Sequence, residues 1–157
     1  MSDLQDLYQD LILDHYKRPR NRRKLDVADR HADGYNPLCG DRVTIFLRVA
    51  DEVVTDIAFE GSGCAISTAS ASLMTEAVKG KTLEEVRKLF ARFHRLIKGE
   101  SNEENGKAMG KLAVFSGVNK YPARVKCAAL AWHTVLAAMD QKSETVTTEH
   151  EVLDSTP

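Results

Sequence analysis

The sequence has little of what would set it outside the ordinary globular class. Only four prolines and nine glycines occur in 157 residues, too few for a collagen-like or low-complexity chain. No apolar run approaches the roughly 20 residues a membrane helix needs. No charge of one sign dominates: 22 Lys and Arg stand against 23 Asp and Glu, a net charge of -1. A general attraction to nucleic acid or to an anionic membrane is therefore not expected. The opening, MSDLQDLYQD, is acidic and amphipathic and does not read as a signal peptide. Cysteine is scarce and odd in number, with three residues and no Cys-x-x-Cys pair. That count argues against a disulfide framework and for reduced thiols in the cytoplasm, and it excludes zinc-finger spacing.

What is present is 43% hydrophobic and 29% charged residues, enough for one domain with a real core. Leu4, Leu7, Tyr8, Leu11, Ile12 and His15 recur at helical spacing, so residues 3–16 are expected to form an amphipathic helix that ends before Pro19. Val43, Ile45, Leu47 and Val49 alternate, which predicts a strand over 42–50. A second strand over 53–59 follows through the short Ala50-Asp51-Glu52 connection, and a weaker third lies near 32–35. Gly61-Ser62-Gly63-Cys64 reads as a glycine-rich turn before a helix over 65–78. Thr82 with Glu85 forms a capping-box signal for the next helix, striped by Leu83, Val86, Phe90, Phe93 and Ile97. Ser101 with Glu104 suggests a shorter helix reaching about Phe115. Pro122 suits the first position of a last helix that runs to Met139, with Val125, Ala129, Trp132, Leu136 and Met139 inward. The order is α+β: a small antiparallel sheet of about three strands with helices on one face. Residues 1–140 are expected to form a single domain and 141–157 a flexible polar tail.

The three cysteines lie far apart but in similar settings. Cys39 follows Asn36-Pro37-Leu38 in a turn that leads into a strand, Cys64 ends the glycine-rich turn at a helix start, and Cys127 lies in the first turns of the last helix. A helix N-terminus favours thiolate over thiol. Asp41, two residues from Cys39 in an extended segment, points to the same side. Three thiolates and one carboxylate suit tetrahedral zinc with a net charge of -2. Arg124, three residues before Cys127 on one helix face, and Lys126 could offset that charge. The residues alone leave a second alternative open, three buried small thiols with no metal.

Three motifs in order, Asn36-Pro37-Leu38-Cys39-Gly40-Asp41, Gly61-Ser62-Gly63-Cys64-Ala65-Ile66-Ser67-Thr68-Ala69-Ser70 and Tyr121-Pro122-Ala123-Arg124-Val125-Lys126-Cys127-Ala128, resemble those of the IscU/SufU-like iron–sulfur cluster assembly proteins. The stretch from Leu7-Tyr8 to Asp14-His15-Tyr16-Lys17-Arg18-Pro19-Arg20-Asn21 is similar to the start of the SufU branch, and the resemblance covers about residues 4–140. IscU scaffolds carry a histidine where this chain has Lys126, and the segment from Phe93 to Lys111 looks like an insertion of the SufU branch. The resemblance implies an IscU-like fold and Zn²⁺ held by Cys39, Asp41, Cys64 and Cys127. It also implies a PLP cysteine desulfurase, SufS-like, as the sulfur donor and an iron–sulfur scaffold downstream. The alternative it leaves is a scaffold that assembles an iron–sulfur cluster on the same cysteines.

Cys39 is expected to be the sulfur acceptor, because it lies in a turn between Pro37 and Gly40 and can move without moving a helix. Arg124 is expected to compensate the charge of an anionic site and so assist transfer. A zinc hydrolase is disfavoured: four protein ligands leave no position for water, and no His-Glu-x-x-His occurs. The run Lys17, Arg18, Arg20, Arg22, Arg23 and Lys24 reads as a solvated loop or as a docking surface for an acidic patch. Without interleaved aromatics it is not a nucleic-acid site. His15 is expected to be a satisfied core histidine. His31, His94 and His133 are given no ligand role.

Overall fold

The computed structural model describes residues 3–100 and 109–149. Helix α1 (Asp3–Lys17) leads into a three-stranded antiparallel sheet of β1 (Arg30–Asn36), β2 (Asp41–Ala50) and β3 (Val53–Ser62), in the order β1-β2-β3. Helices α2 (Ala65–Val78) and α3 (Leu83–Ile97) follow, then two 3-10 turns (Gly110–Phe115 and Val118–Lys120), then α4 (Pro122–Met139). The α+β expectation holds. The bounds of α2 and α4 are those the patterning predicts. The 61–62 part of the glycine-rich turn instead completes β3. The Ser101–Glu104 capping box lies outside the described residues, and the end of that expected helix is the first 3-10 turn.

Asp51 and Glu52 both take positive φ, 51° and 64°, the two-residue hairpin geometry whose twist matches that of the flanking strands. The Thr82–Glu85 capping box closes in both directions. Val43, Ile45 and Leu47 are buried toward the helices, as alternation requires. The opposite face is not bare: Phe46 packs there with Leu25 and Ala58 in a small second cluster. Helix α4 runs through the middle of the molecule, packed on α2, β1, β2 and α3. Trp132 stacks on Phe93 with centroids 4.4 Å apart, and Phe115 meets Phe93 edge-on. Leu7, expected on the buried face of α1, is exposed.

The basic run is largely tied to the protein itself. Arg18 and Arg20 pair with Asp14, Arg23 pairs with Asp56, and Arg22 donates to the Gly61 carbonyl. Lys17, Arg18, Arg22, Arg23 and Lys24 are nevertheless exposed, as a solvated loop requires. The two guanidiniums, Arg20 first, hold the Asp14 carboxyl below its usual range. His15 is buried, with Nδ1 2.7 Å from Ser72 Oγ. Ser72 Oγ also accepts from the Arg20 N–H at 2.8 Å, so one hydroxyl of α2 holds both His15 and the start of the basic run. Nε2 has no hydrogen-bond partner among the described residues; Glu76 lies 3.7 Å away. His15 is therefore only half satisfied.

The segment read as a polar tail is described as far as Glu149, and there it lies along β1. Tyr35 N–H donates to the Val146 carbonyl and Val146 N–H to the Asp33 carbonyl, each at 2.8 Å. No described helix is long and apolar enough to cross a membrane.

Candidate metal centre

The end of the sheet nearest the start of α4 gathers the three cysteine segments. The Asn36 carbonyl accepts from the Cys39 N–H at 3.2 Å and the Gly40 N–H at 2.8 Å, closing a turn between β1 and β2. Gly40 has φ +76°, a left-handed conformation that side chains resist. The turn leaves Cys39 exposed. Asp41 then begins β2, paired with Asn36 and almost wholly buried.

Pairing of Arg42 with Ser62 brings the turn before α2 alongside Asp41. The Cys64 N–H donates to Asp41 Oδ1 at 3.0 Å. Gly63 is required for that approach: a Cβ on it would lie 2.6 Å from Asp41 Oδ1 and 2.5 Å from Ser67 Oγ. Cys64 caps α2, its Sγ accepting from the Ser67 N–H at 3.4 Å. Cys127, in the second turn of α4, is buried.

Three of the four predicted donors meet here, and the fourth, Cys64, stands beside Asp41 outside that group. A sulfur of Cys39, a carboxylate oxygen of Asp41 and the sulfur of Cys127 lie within 4.8 Å of one another. Cys64 Sγ is 3.9 Å from Asp41 Oδ2. Tetrahedral zinc with bonds of about 2.3 Å to sulfur separates its donors by about 3.8 Å. The chemistry and spacing of Cys39, Asp41 and Cys127 therefore fit such an ion, with Cys64 adjacent as a candidate fourth donor.

The electrostatics couple the thiols. A hydrogen bond from the Cys127 thiol, assisted by the Ser67 N–H, outweighs burial and lowers the Cys64 thiol to about 6. The Cys127 thiol is raised, first by donating to Cys64, then by burial and by Asp41.

The predicted charge-compensating residues lie at the rim. The Arg124 guanidinium rests over the Tyr121 ring, 4.4 Å from its centroid. Lys126 is committed elsewhere: its Nζ lies 3.3 Å from Glu149 Oε2. Sequence reasoning missed three residues beside the centre, Asn36, Thr148 and Glu149. Asn36 is wholly buried, and its side chain bonds to Thr147 and Thr148. No periodicity marks 145–149; the one available signal was an asparagine before Pro37 that a strand end would bury.

Comparison with known proteins agrees with this geometry. Residues 7–128 match the NifU-like N terminal domain. The zinc-dependent sulfurtransferase SufU of Bacillus subtilis is 40% identical over 134 residues, 83% of this chain and 88% of that protein. The iron–sulfur cluster assembly scaffold protein IscU of Thermotoga maritima is 42% identical over 137 residues, 87% and 95% of the two chains. A crystal structure of a SUF-system cluster assembly scaffold protein from Fervidobacterium islandicum superposes with TM-score 0.78 at 34% identity, covering 86% of this chain and 98% of that one. The overall fold is shared with these solved relatives, and the chain belongs to the NifU-like N-terminal domain family, that of the IscU and SufU iron–sulfur cluster assembly proteins.

Proposed function

We propose that the chain is a zinc-dependent sulfur acceptor that takes persulfide sulfur from a PLP cysteine desulfurase and passes it to iron–sulfur cluster assembly. The observation that carries this reading is the meeting of Cys39, Asp41 and Cys127 within 4.8 Å, with Cys64 against Asp41. The relative named a zinc-dependent sulfurtransferase supports the choice of ion and chemistry. Cys39, Asp41, Cys64 and Cys127 would hold zinc, which would keep the thiols deprotonated at neutral pH and, having no redox chemistry, leave them unoxidised.

Among the three sulfurs, Cys39 is suited to accept. It is exposed, as is Cys64, but its turn is held by hydrogen bonds rather than by helix packing. Cys64 caps α2, and Cys127 is buried in α4. The Cys39 thiolate attacks the terminal sulfur of the desulfurase persulfide. A new S–S bond forms on Cys39 as the donor S–S bond breaks, and the donor cysteine leaves as a thiolate. The transferred sulfur keeps its oxidation state, so no external oxidant or reductant enters. Arg124, on the rim over Tyr121, would offset the negative charge of the incoming group.

The test is metal analysis of protein purified without added metal, followed by alkylation and mass spectrometry after incubation with desulfurase and cysteine. About one zinc per chain and extra sulfur on Cys39 are expected. Extra sulfur mainly on Cys64 or Cys127, or full stimulation of the desulfurase by Cys39→Ala, would overturn the assignment.

A second reading, a scaffold on which an iron–sulfur cluster is built, is favoured by the 42% identity to the relative named IscU. Thiolates serve clusters as well as zinc. Anaerobic reconstitution separates the two: a stable visible chromophore at high yield would select the scaffold.

A further inference from the structure

We propose that residues 145–149 are a strap that clamps the Cys39 turn to the start of α4 and so sets how readily the Cys39 thiol leaves its neighbours. The regulatory part rests on the sulfur-acceptor reading; the clamp itself does not.

Two bridges define the strap, each joining the segment that carries Cys39 to the segment that carries Cys127. The first runs through Thr148, which is buried. Its hydroxyl accepts from Asn36 Nδ2 at 2.8 Å and donates to the Lys126 carbonyl at 2.8 Å. The Thr148 N–H donates to Asn36 Oδ1 at 2.8 Å, and the Thr147 hydroxyl donates to the same oxygen at 3.0 Å. The second bridge runs through Glu149. Its Oε1 accepts from the Leu38 N–H at 2.8 Å, and its Oε2 meets Lys126 Nζ at 3.3 Å. The side chains of Lys126 and Glu149 are only 14% and 13% exposed, so salt screens this pair less than a surface pair.

Asn36 links the strap to the thiol. Its side chain is bound by the strap, while its carbonyl accepts from the Cys39 and Gly40 N–H groups that form the turn. Moving the Cys39 backbone away from Asp41 and Cys127 requires the turn to open. Opening it strains Asn36, which is buried and loses its partners if the strap does not move with it. Val146, hydrogen-bonded to β1 and packed on the core, anchors the other end. The centre is therefore held by covalent neighbours on one side and by this strap on the other. A partner that loosens the strap would free Cys39 without unfolding a helix.

The experiment uses the full chain with four variants: Thr148→Val, which keeps the shape and removes the hydroxyl; Thr148→Ser, which restores it; Glu149→Ala; and Phe93→Leu as a remote destabilised control. Amide hydrogen exchange is read at Leu38, Cys39 and Gly40 in metal-free protein. In zinc-loaded protein the rates of chelator-driven zinc loss and of Cys39 alkylation are read. Thr148→Val and Glu149→Ala are each expected to speed all of these about tenfold, the factor set by losing one strong hydrogen bond. Thr148→Ser should return them to wild type, and Phe93→Leu should leave them unchanged while lowering global stability. Unchanged exchange at Leu38 and Cys39 in both Thr148→Val and Glu149→Ala would overturn the strap. So would Thr148→Ser behaving like Thr148→Val, or Phe93→Leu speeding the turn as much. If the protein binds no zinc, the acceptor reading falls, and the clamp stands or falls on the metal-free exchange rates.

Discussion

Helix α4 passes through two regions built on opposite principles. At its middle, Trp132 is wholly buried against Phe93 with Phe115 behind it, and the packing is apolar and shape-determined. At its start, Cys127 is buried beside Asp41, and the neighbouring buried groups Asn36 and Thr148 are polar. There, order comes from a connected set of hydrogen bonds in which Asn36 Oδ1 and the Asn36 carbonyl each accept two. The apolar region can lose a methylene and still exclude water, whereas the thiol region leaves an unpaired polar group whenever one partner goes. A site built this way is stable only while complete, which suits a centre whose ligands are to be exchanged.

Trp132→Ala should break the comparison from the apolar side and have the largest effect. Removing a fully buried indole is expected to cost about 3–5 kcal/mol, read as a lowered denaturant midpoint. The loss should be the same with and without zinc, because the cavity lies away from the thiols. A loss that depended on zinc would show the two regions to be one cooperative site.

Chelation tests the other side. On the proposed reading, zinc at a hundredfold excess over its Kd stabilises the fold by about 2.7 kcal/mol. A chelator should lower the melting temperature of the wild type accordingly, and Cys127→Ala should abolish that response. A wild type that melts at one temperature with and without chelator would mean that no metal holds this end.

The same contrast explains what could be read before any coordinates. Apolar packing has a period, so Val43, Ile45, Leu47, Phe93 and Trp132 announce their burial through spacing alone. The cysteine motifs were legible as turn chemistry, and Asp41 was placed by strand alternation. The strap was not legible. Thr147, Thr148 and Glu149 read as a polar tail because a hydrogen-bonded polar segment leaves no hydrophobic signature. The ion pairs of the basic run were hidden for a related reason: composition shows six positive charges, not that Asp14 and Asp56 lie across from three of them. Leu7 failed because a helical stripe says which face is apolar, not how much of its length is covered.

His15 gives a smaller effect, at the junction of α1 and α2. Burial, with Arg20 nearby, holds its imidazole below the ordinary pKa of about 6.5. The folded protein therefore keeps His15 neutral at pH values where the unfolded chain is already protonated. Stability from this residue is full above about pH 6.5 and falls as pH drops toward the lowered folded value, by at most about 1.4 kcal/mol per pH unit. Unfolding curves between pH 7 and 5 should show this slope, and His15→Gln should flatten it. An unchanged slope in the variant would move the titration to another group.

Arg124→Ala should have the smallest effect on stability and a disproportionate one on transfer. The guanidinium is exposed and rests on Tyr121, a cation–π contact worth about 0.5–1 kcal/mol at such a site. Its loss should shift the melting temperature by little more than the error of the measurement. Zinc content should be unchanged, because Arg124 supplies no donor atom. The attack on a persulfide, however, gathers negative charge beside a centre already proposed to carry it. Removing this rim cation, where Lys126 is held by Glu149, should slow sulfur uptake by Cys39 several-fold. Arg124→Lys should recover part of the rate, since the charge is kept while the planar stacking on Tyr121 is lost. Zinc loss in Arg124→Ala with the fold intact would place this residue in the holding of the ion rather than in the passage of sulfur.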